Sequence, residues 1–326
     1  MAEPIIPLSA VRPFGRGLVR PECVVATRDG SVFVPDYRGG VTRLRPDGRQ
    51  EDLRPPSLSW LRPNSLTIER QGSFVLAHLD DYGGGVIRLY PDGRHEPVLL
   101  AYEGRPLPST NFVLADGDDL WITVSTRLMP RWHSRRPGYG DGYVLRMRNG
   151  NVKLVVDGIG FTNEVRVDAE RRWLYIVETF QRRIARCEIL RDGLGPKEIF
   201  VDLGPGHYPD GFAFDAEGSL WVTSIFSNRV LKITPDREVI VMIADGDPHF
   251  TAEIDRQWET GEMGRAPTEG VLPRTLGNVS SVAFGGPDLR TLYLGALLVD
   301  RIHVTEAPVA GLAMPHWDIE VPAFSA

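Results

Sequence analysis

Cysteine is almost missing from this chain. Only Cys23 and Cys187 occur among 326 residues, which excludes a disulfide framework, leaves at most one bridge, and provides no cysteine pairs for a closed zinc site. Basic excess is missing too: 37 Lys and Arg against 43 Asp and Glu give a net charge of −6. That removes the electrostatic footprint of a nucleic-acid or anionic-membrane partner. The longest apolar runs are strand-length, far below the roughly 20 residues a spanning helix requires. The opening MAEPIIPLSAVRPFGRG lacks the apolar stretch of a secretory signal. Together these absences predict a cytoplasmic protein with reduced thiols. Several catalytic signatures are lacking as well: there is no G-x-S-x-G elbow, no Walker loop, and no G-x-G-x-x-G leading into a helix. Gly83-Gly84-Gly85 precedes a strand and reads as a hairpin turn.

Glycine and proline are abundant, at 34 and 26 residues, as expected of a chain built from turns. Hydrophobic residues make up 42% and charged residues 25%, an ordinary composition for a packed domain. One pattern recurs six times. An aromatic-rich strand (SVFVPD, SFVLAH, LWITVS, LYIVET, LWVTSI, LYLGAL) is followed by a second strand (GVTRLRPDG, GVIRLYPDG, GYVLRMRNG, RIARCEILRDG, RVLKITPD, RIHVTE). Self-similarity at roughly 40–50 residues, with about four short strands per unit, predicts an all-β fold, a six-bladed propeller of four-stranded antiparallel blades. The chain then reads as one domain, 1–326. Its blades fall at about 21–53, 61–100, 108–156, 159–203, 207–244 and 277–304, with an insertion at 245–276. Within that insertion Ala252 to Gly261 has helical spacing, and long insertions often cover a binding site. The leading segment is a candidate closing strand for the last blade.

A propeller brings one strand start per blade to a common mouth. The residues at those starts are Glu22, Asn64, Asn111, Asn163, Asp210, and Asn278 or Ser280. Each is polar, and each lies about ten residues before the aromatic strand of its own blade. Taken singly, any of them is ordinary turn chemistry. Jointly, two carboxylates and several carboxamides around an axis form an oxygen cage suited to a hard divalent cation such as Ca²⁺, Mg²⁺ or Mn²⁺.

At these positions the chain resembles the superfamily of gluconolactonase, senescence marker protein SMP-30 and luciferin-regenerating enzyme. The matching stretches are FTNEVRVDAERRWLYIVETFQRRIARCEI, YPDGFAFDAEGSLWVTSIFSNRVLKI and NVSSVAFGGPDLRTLYLGAL, with a looser match in PECVVATRDGSVFVPD. The resemblance implies a six-bladed propeller with one divalent metal, Ca²⁺ first and Mg²⁺, Mn²⁺, Fe²⁺ or Zn²⁺ as other choices. It places the metal ligands on Glu22, Asn163 and Asp210, and makes Asn111 a ligand or substrate contact. The departures are specific. Glu22-Cys23-Val24 stands where the family often has Glu-Gly-Pro. Phe112 replaces an aspartate after Asn111, and Ser109 stands where sugar-lactone members tend to carry arginine. Phe112, Trp132 and Tyr208 then suggest a less polar substrate pocket, with Asn64, Asn278 and Ser280 as further lining.

These residues predict metal-dependent opening of a lactone or related ester. Asp210 would be the base, with His207, three residues earlier, as a second acid–base candidate, and Asn111 would position the oxyanion. His133 and His249 sit in insertions and read as loop histidines. Two other readings stand beside this one: a different enzyme on the same scaffold, such as a strictosidine-synthase-like cyclase or isomerase, and a metal-stabilised binding propeller without turnover. The expected partner is a small lactone or ester, with no nucleic acid and no membrane; the oligomeric state is left open.

Overall fold

A computed structural model describes residues 4–191, 193–265 and 274–325. Short strands dominate because the sequence alternates turn formers with β-branched and aromatic runs. They form six antiparallel four-stranded sheets ordered from the axis outward. The innermost strands are Val25–Ala26, Pro63–Ile68, Thr110–Asp116, Thr162–Val167, Tyr208–Phe214 and Val279–Gly285. Neighbouring innermost strands pack side by side, and the ring closes where Val25–Ala26 meets Val279–Gly285.

The aromatic second strands are buried on both faces because each sheet lies between two others. Trp121 is 1% exposed and Trp221 fully buried. Trp221 Nε1 donates to Asp215 at 3.0 Å, so a bulky indole fills the space between blades without leaving its N–H unsatisfied. The outermost strands, such as Gln50–Leu53 and His95–Leu99, are largely polar and half-exposed. Cys23 and Cys187 are both buried free thiols. No helix among the described residues is long and apolar enough to cross a membrane.

Both chain ends fasten the ring. Arg12–Phe14 adds the outer strand of blade six, with Arg12 opposite Val304 and Phe14 opposite Ile302. Ile6 and Val11 are buried beside it, at 7% and 8% exposure. After blade six, residues 311–325 run across the end of the channel opposite the mouth. Leu312 N–H bonds to Phe214 O at 2.9 Å and Arg28 N–H to Trp317 O at 2.9 Å. Arg43 donates to the Val321 carbonyl at 2.7 Å, and Ser325 N–H to Pro91 O at 3.1 Å. This strap crosses blades five, one and two.

The one α-helix among the described residues is Pro248–Glu259. It begins four residues before the expected Ala252, because Asp247 caps it by accepting from the N–H groups of His249 and Phe250, and Pro248 suits the first turn. Ile254 and Trp258 pack onto Tyr208, Phe226, Phe161 and Phe180. Asp255 fixes the helix by accepting from Tyr208 Oη at 2.8 Å and pairing with Arg182 at 3.0 Å. The helix is docked onto blades four and five.

Two predictions follow from this packing. Deleting residues 4–14 removes the pairing of blade six and the burial of Ile6 and Val11; two such apolar side chains are worth about 3–6 kcal/mol, and chemical denaturation should report a loss of at least that order. The second concerns His316, held at a pKa of about 3 by burial and then by the charge of Arg166. Its folded value lies below its unfolded one, so its contribution is complete above about pH 6.5 and is lost as pH falls toward 3. Urea melts between pH 7 and 4.5 should therefore show a flatter stability–pH slope for His316→Gln than for the natural chain, by up to about 1.4 kcal/mol per pH unit. Equal slopes would exclude the histidine as an acid-sensitive element.

Candidate functional site

The innermost strands do not run regularly to the mouth. In five blades the register against the second strand slips at one place: between Pro63 and Ser65, Thr110 and Phe112, Thr162 and Val165, Pro209 and Phe212, and Val279 and Ser281. Each slip is a β-bulge, and the extra residues are Asn64, Asn111, Asn163 with Glu164, Asp210 with Gly211, and Ser280. A bulge breaks the two-residue alternation and re-aims a side chain. Here the re-aimed groups are polar and lie at the axis. In blade one the strand is cut to Val25–Ala26, and Arg20, with φ of 51°, turns the chain so that Glu22 faces the same point.

Glu22, Asn111, Asn163 and Asp210 line one cavity of about 30 Å³, a volume that admits an ion and a water or two. Arg20, Arg131, Arg135 and Thr179 complete its polar wall; Phe161, Phe180, Ile225 and Leu297 are among the apolar ones. The four predicted residues are nearly buried, between 2% and 7% exposed. Asn64 sits behind them as a connector. Its Nδ2 donates to Glu22 Oε1 at 2.8 Å and to Asn111 Oδ1 at 3.2 Å, while its Oδ1 accepts from Arg20 at 3.0 Å. Asn111 Nδ2 donates to Ser125 Oγ at 3.0 Å. Asn163 Nδ2 donates to Thr179 Oγ1 at 3.1 Å and closely to Asp210 Oδ1.

The carboxylates are under electrostatic load. Burial raises the Asp210 pKa well above the usual carboxylate range, and the charges of Glu22 and Glu164 raise it further; Arg20 and the Asn163 amide oppose this. Beneath the cage Glu164 is pushed up to about 7, first by burial, although it pairs with Arg166 at 2.7 Å. Glu22 Oε2 lies 2.7 Å from Arg20 Nη2 but outside hydrogen-bond alignment, and it accepts no hydrogen bond. Crowded buried carboxylates, an unsatisfied carboxylate oxygen and carboxamide neighbours around a small cavity fit a hard divalent cation. Asn163 would have to present Oδ1 in place of Nδ2. Among the described residues no three His, Cys, Asp or Glu side chains are arranged to hold a metal ion by themselves, so such a cage depends on the carboxamides.

Other expected residues lie elsewhere. Phe112 points away from the mouth into the core, under the Arg166 guanidinium at 4.6 Å, since adjacent strand residues face opposite ways. Tyr208 is fully buried in the aromatic cluster that seats the helix. Trp132 stacks edge-on with Tyr82 at 6.3 Å. None of the three lines the cavity, whose walls are instead three arginines together with the apolar side chains named above. Asn278 is structural: its Oδ1 accepts the Phe226 N–H at 2.8 Å. Ser280 Oγ bonds to the Glu22 carbonyl at 2.9 Å and so holds Glu22 in place. His207 turns its ring toward the Pro205 carbonyl at 3.0 Å and is outside the cavity walls; His133 and His249 are exposed. The sequence reading missed Arg20, Arg131, Arg135 and Glu164. Arg20 and Glu164 were signalled by charges beside two proposed ligands. Arg131 and Arg135 lay within an insertion that has no periodic pattern.

Comparison with known proteins gives the following. The family described as SMP-30/Gluconolactonase/LRE-like region matches residues 20–252. The chain is 28% identical over 162 residues to the 6-deoxy-6-sulfogluconolactonase of Pseudomonas putida, covering 46% of each chain. It is 30% identical over 152 residues to the pentonolactonase XacC of Haloferax volcanii, covering 45% of this chain and 41% of that one. The chain thus spans less than half the length of these curated relatives. Among solved structures, the calcium-binding protein regucalcin of Agrobacterium tumefaciens superposes with a TM-score of 0.68 at 17% identity, covering 99% of both chains. Luciferin-regenerating enzyme gives 0.65 at 16% identity, covering 95% of this chain and 98% of that one. At such identities the structural likeness speaks for the fold.

Gly211 supplies a test of the bulge. A Cβ there would lie 2.6 Å from Ser280 O and 2.8 Å from Glu164 Oε1. Gly211→Ala should therefore cost about 1–3 kcal/mol and displace Asp210; a variant of unchanged stability in thermal melts would show that the bulge does not need glycine.

Proposed function

We propose that this chain, which belongs to the SMP-30/gluconolactonase/LRE-like family, is a divalent-cation-dependent hydrolase that opens a lactone ring. The observation that carries the reading is the meeting of Glu22, Asn111, Asn163 and Asp210, from four different blades, around one small cavity. The lactonase names of both curated relatives support the reaction class. Glu22, Asn163 and Asp210 would hold the cation, with Asn111 as fourth oxygen donor or substrate contact. When bound, such an ion supplies Lewis-acid polarisation of the substrate carbonyl and lowers the proton affinity of water.

The chain's own groups do the rest. Asn64 and Ser280 hold Glu22 by side chain and backbone. Asn111, braced by Ser125, orients the carbonyl oxygen as negative charge gathers on it. Asp210 accepts the proton of the attacking water. The water oxygen bonds to the carbonyl carbon, the bond from that carbon to the ring oxygen breaks, and the ring oxygen takes up the proton. The product is a hydroxy acid. Burial gives Asp210 the raised proton affinity a base needs, while ligation lowers it; Asp210 is therefore the residue on which cation and proton compete. Phe161, Phe180, Ile225 and Leu297 restrict bulk water around the reacting carbon.

Asp210→Ala should abolish cation binding in calorimetry and lower kcat/KM on lactones at least about a hundredfold; full activity would remove the residue from the mechanism. Because Asp210 must lose its proton to ligate, and burial and then the charge of Glu22 raise its proton affinity, cation affinity should rise with pH above the ordinary carboxylate range of about 4. A pH-independent affinity above that range would count against Asp210 as ligand.

A further inference from the structure

One guanidinium lies beneath the cage. Arg166 belongs to the innermost strand of blade four, is 6% exposed, and stands outside the walls of the cavity. What surrounds it are the residues that follow the proposed ligands in the chain. Phe112 follows Asn111, and its ring centre lies 4.6 Å from the guanidinium carbon. Glu164 follows Asn163, and its Oε2 is 2.7 Å from Nη2. Phe212 comes two residues after Asp210, with its ring centre at 5.8 Å. Cys23 follows Glu22 and shares with Arg166 the lining of a small void. Each blade that supplies a proposed ligand therefore places a neighbour of that ligand at this one side chain.

The contacts reach the bulges themselves. Glu164 Oε2 also accepts the Phe212 N–H at 3.4 Å, just past the bulge of Asp210 and Gly211. A Cβ on Gly211 would lie 2.8 Å from Glu164 Oε1, so the carboxylate abuts that bulge from blade four. Arg166 holds the same carboxylate and donates through Nη1 to the Val165 carbonyl at 3.3 Å. A planar guanidinium fixes a carboxylate in direction as well as distance, and attraction to two buried rings holds its own position. A buried pair that served neutralisation alone could be matched by apolar side chains of the same volume, and that role calls for no contact with blades three and five.

We propose that Arg166 is the positioning residue of the cage: from below, it sets the bulges of blades three, four and five and so fixes where Asn111, Asn163 and Asp210 stand relative to one another. This role rests on the cage reading given above and adds a residue outside the cavity. Its effect on the chemistry runs through Glu164, Phe112 and Phe212.

The test compares the full chain with Arg166→Met, Arg166→Lys and the double variant Arg166→Met/Glu164→Gln. The double variant removes both charges, keeps an acceptor for the Phe212 N–H, and covers the case in which an unpartnered Glu164 prevents folding. Ca²⁺ and Mn²⁺ are titrated by calorimetry, and lactone opening is followed at saturating cation. Arg166→Met should raise the cation Kd about tenfold to a hundredfold at unchanged stoichiometry; partial unfolding would instead lower the stoichiometry and leave Kd alone. At saturating cation kcat should fall while KM changes little, because Arg166 does not line the cavity, and Arg166→Lys should recover part of kcat and of cation affinity. A second readout needs no cation. The side-chain amides of Asn111 and Asn163 donate to Ser125 and Thr179; in Arg166→Met and in the double variant they should exchange with solvent about fivefold or more faster. The Asn228 amide, held by Asp245 at 3.1 Å, should keep its rate. If the natural chain binds no cation and opens no lactone, the hydrolase reading falls, and amide exchange still decides the role of Arg166. Unchanged exchange at Asn111 and Asn163 in a folded variant overturns that role, as does a cation Kd equal to that of the natural chain.

Discussion

Negative charge buried at the axis is the constraint around which the molecule is arranged. Six sheets can converge only if their innermost strands leave a narrow core, and here that core holds Glu22, Asp210 and Glu164, each below a tenth exposed. Carboxylates so placed lose hydration and repel one another. The surroundings answer with Arg20 and Arg166, with carboxamides in place of further acids, and with bulges that spread the donors around the axis. Arg166 also closes the floor, stacked on Phe112. The Arg20–Glu22 pair has a second property. Arg20 faces Oε2 of Glu22 without a hydrogen bond, and only Oε1 is well satisfied, by Asn64, so the pair leaves the carboxylate unsaturated.

Much of the scaffold was legible because propeller blades obey local rules. Aromatic strands followed by Pro-Asp-Gly turns marked the hairpins, and Trp121 and Trp221 on those aromatic strands are buried between blades. The strand-start positions were legible for the same reason: Asn or Asp just ahead of an apolar run is conspicuous against a two-residue period. What could not be read was the direction of each side chain. A bulge depends on pairing with a strand ten or more residues away, so nothing local announces that Asn111 turns to the axis while Phe112 goes to the core. Tyr208 shows the same limit. Its placement follows from Asp255 and a helix forty-odd residues later, a contact that exists only in three dimensions. The early start of that helix was the exception, since Asp247-Pro248 carried a cap signal in the sequence itself.

The arginine wall of the cavity differs in kind from the cage. The cage draws on the equivalent position of successive blades, so its composition follows the repeat. That wall draws on Arg20, a left-handed residue before blade one, and on the 3-10 turn Arg131–Ser134 with Arg135 just after it. These are insertions and ends, outside the repeat.

The strap of residues 311–325 has a kinetic implication. It runs across the far end of the channel, where Met314 and His316 meet Cys23, Leu66 and Phe112 around a void of only about 20 Å³. Among the described residues the strap covers that end, so a molecule reaching the axis would enter and leave by the mouth. Under the ring opening proposed above, entry and exit would share that passage, and an accumulating product would obstruct its own precursor.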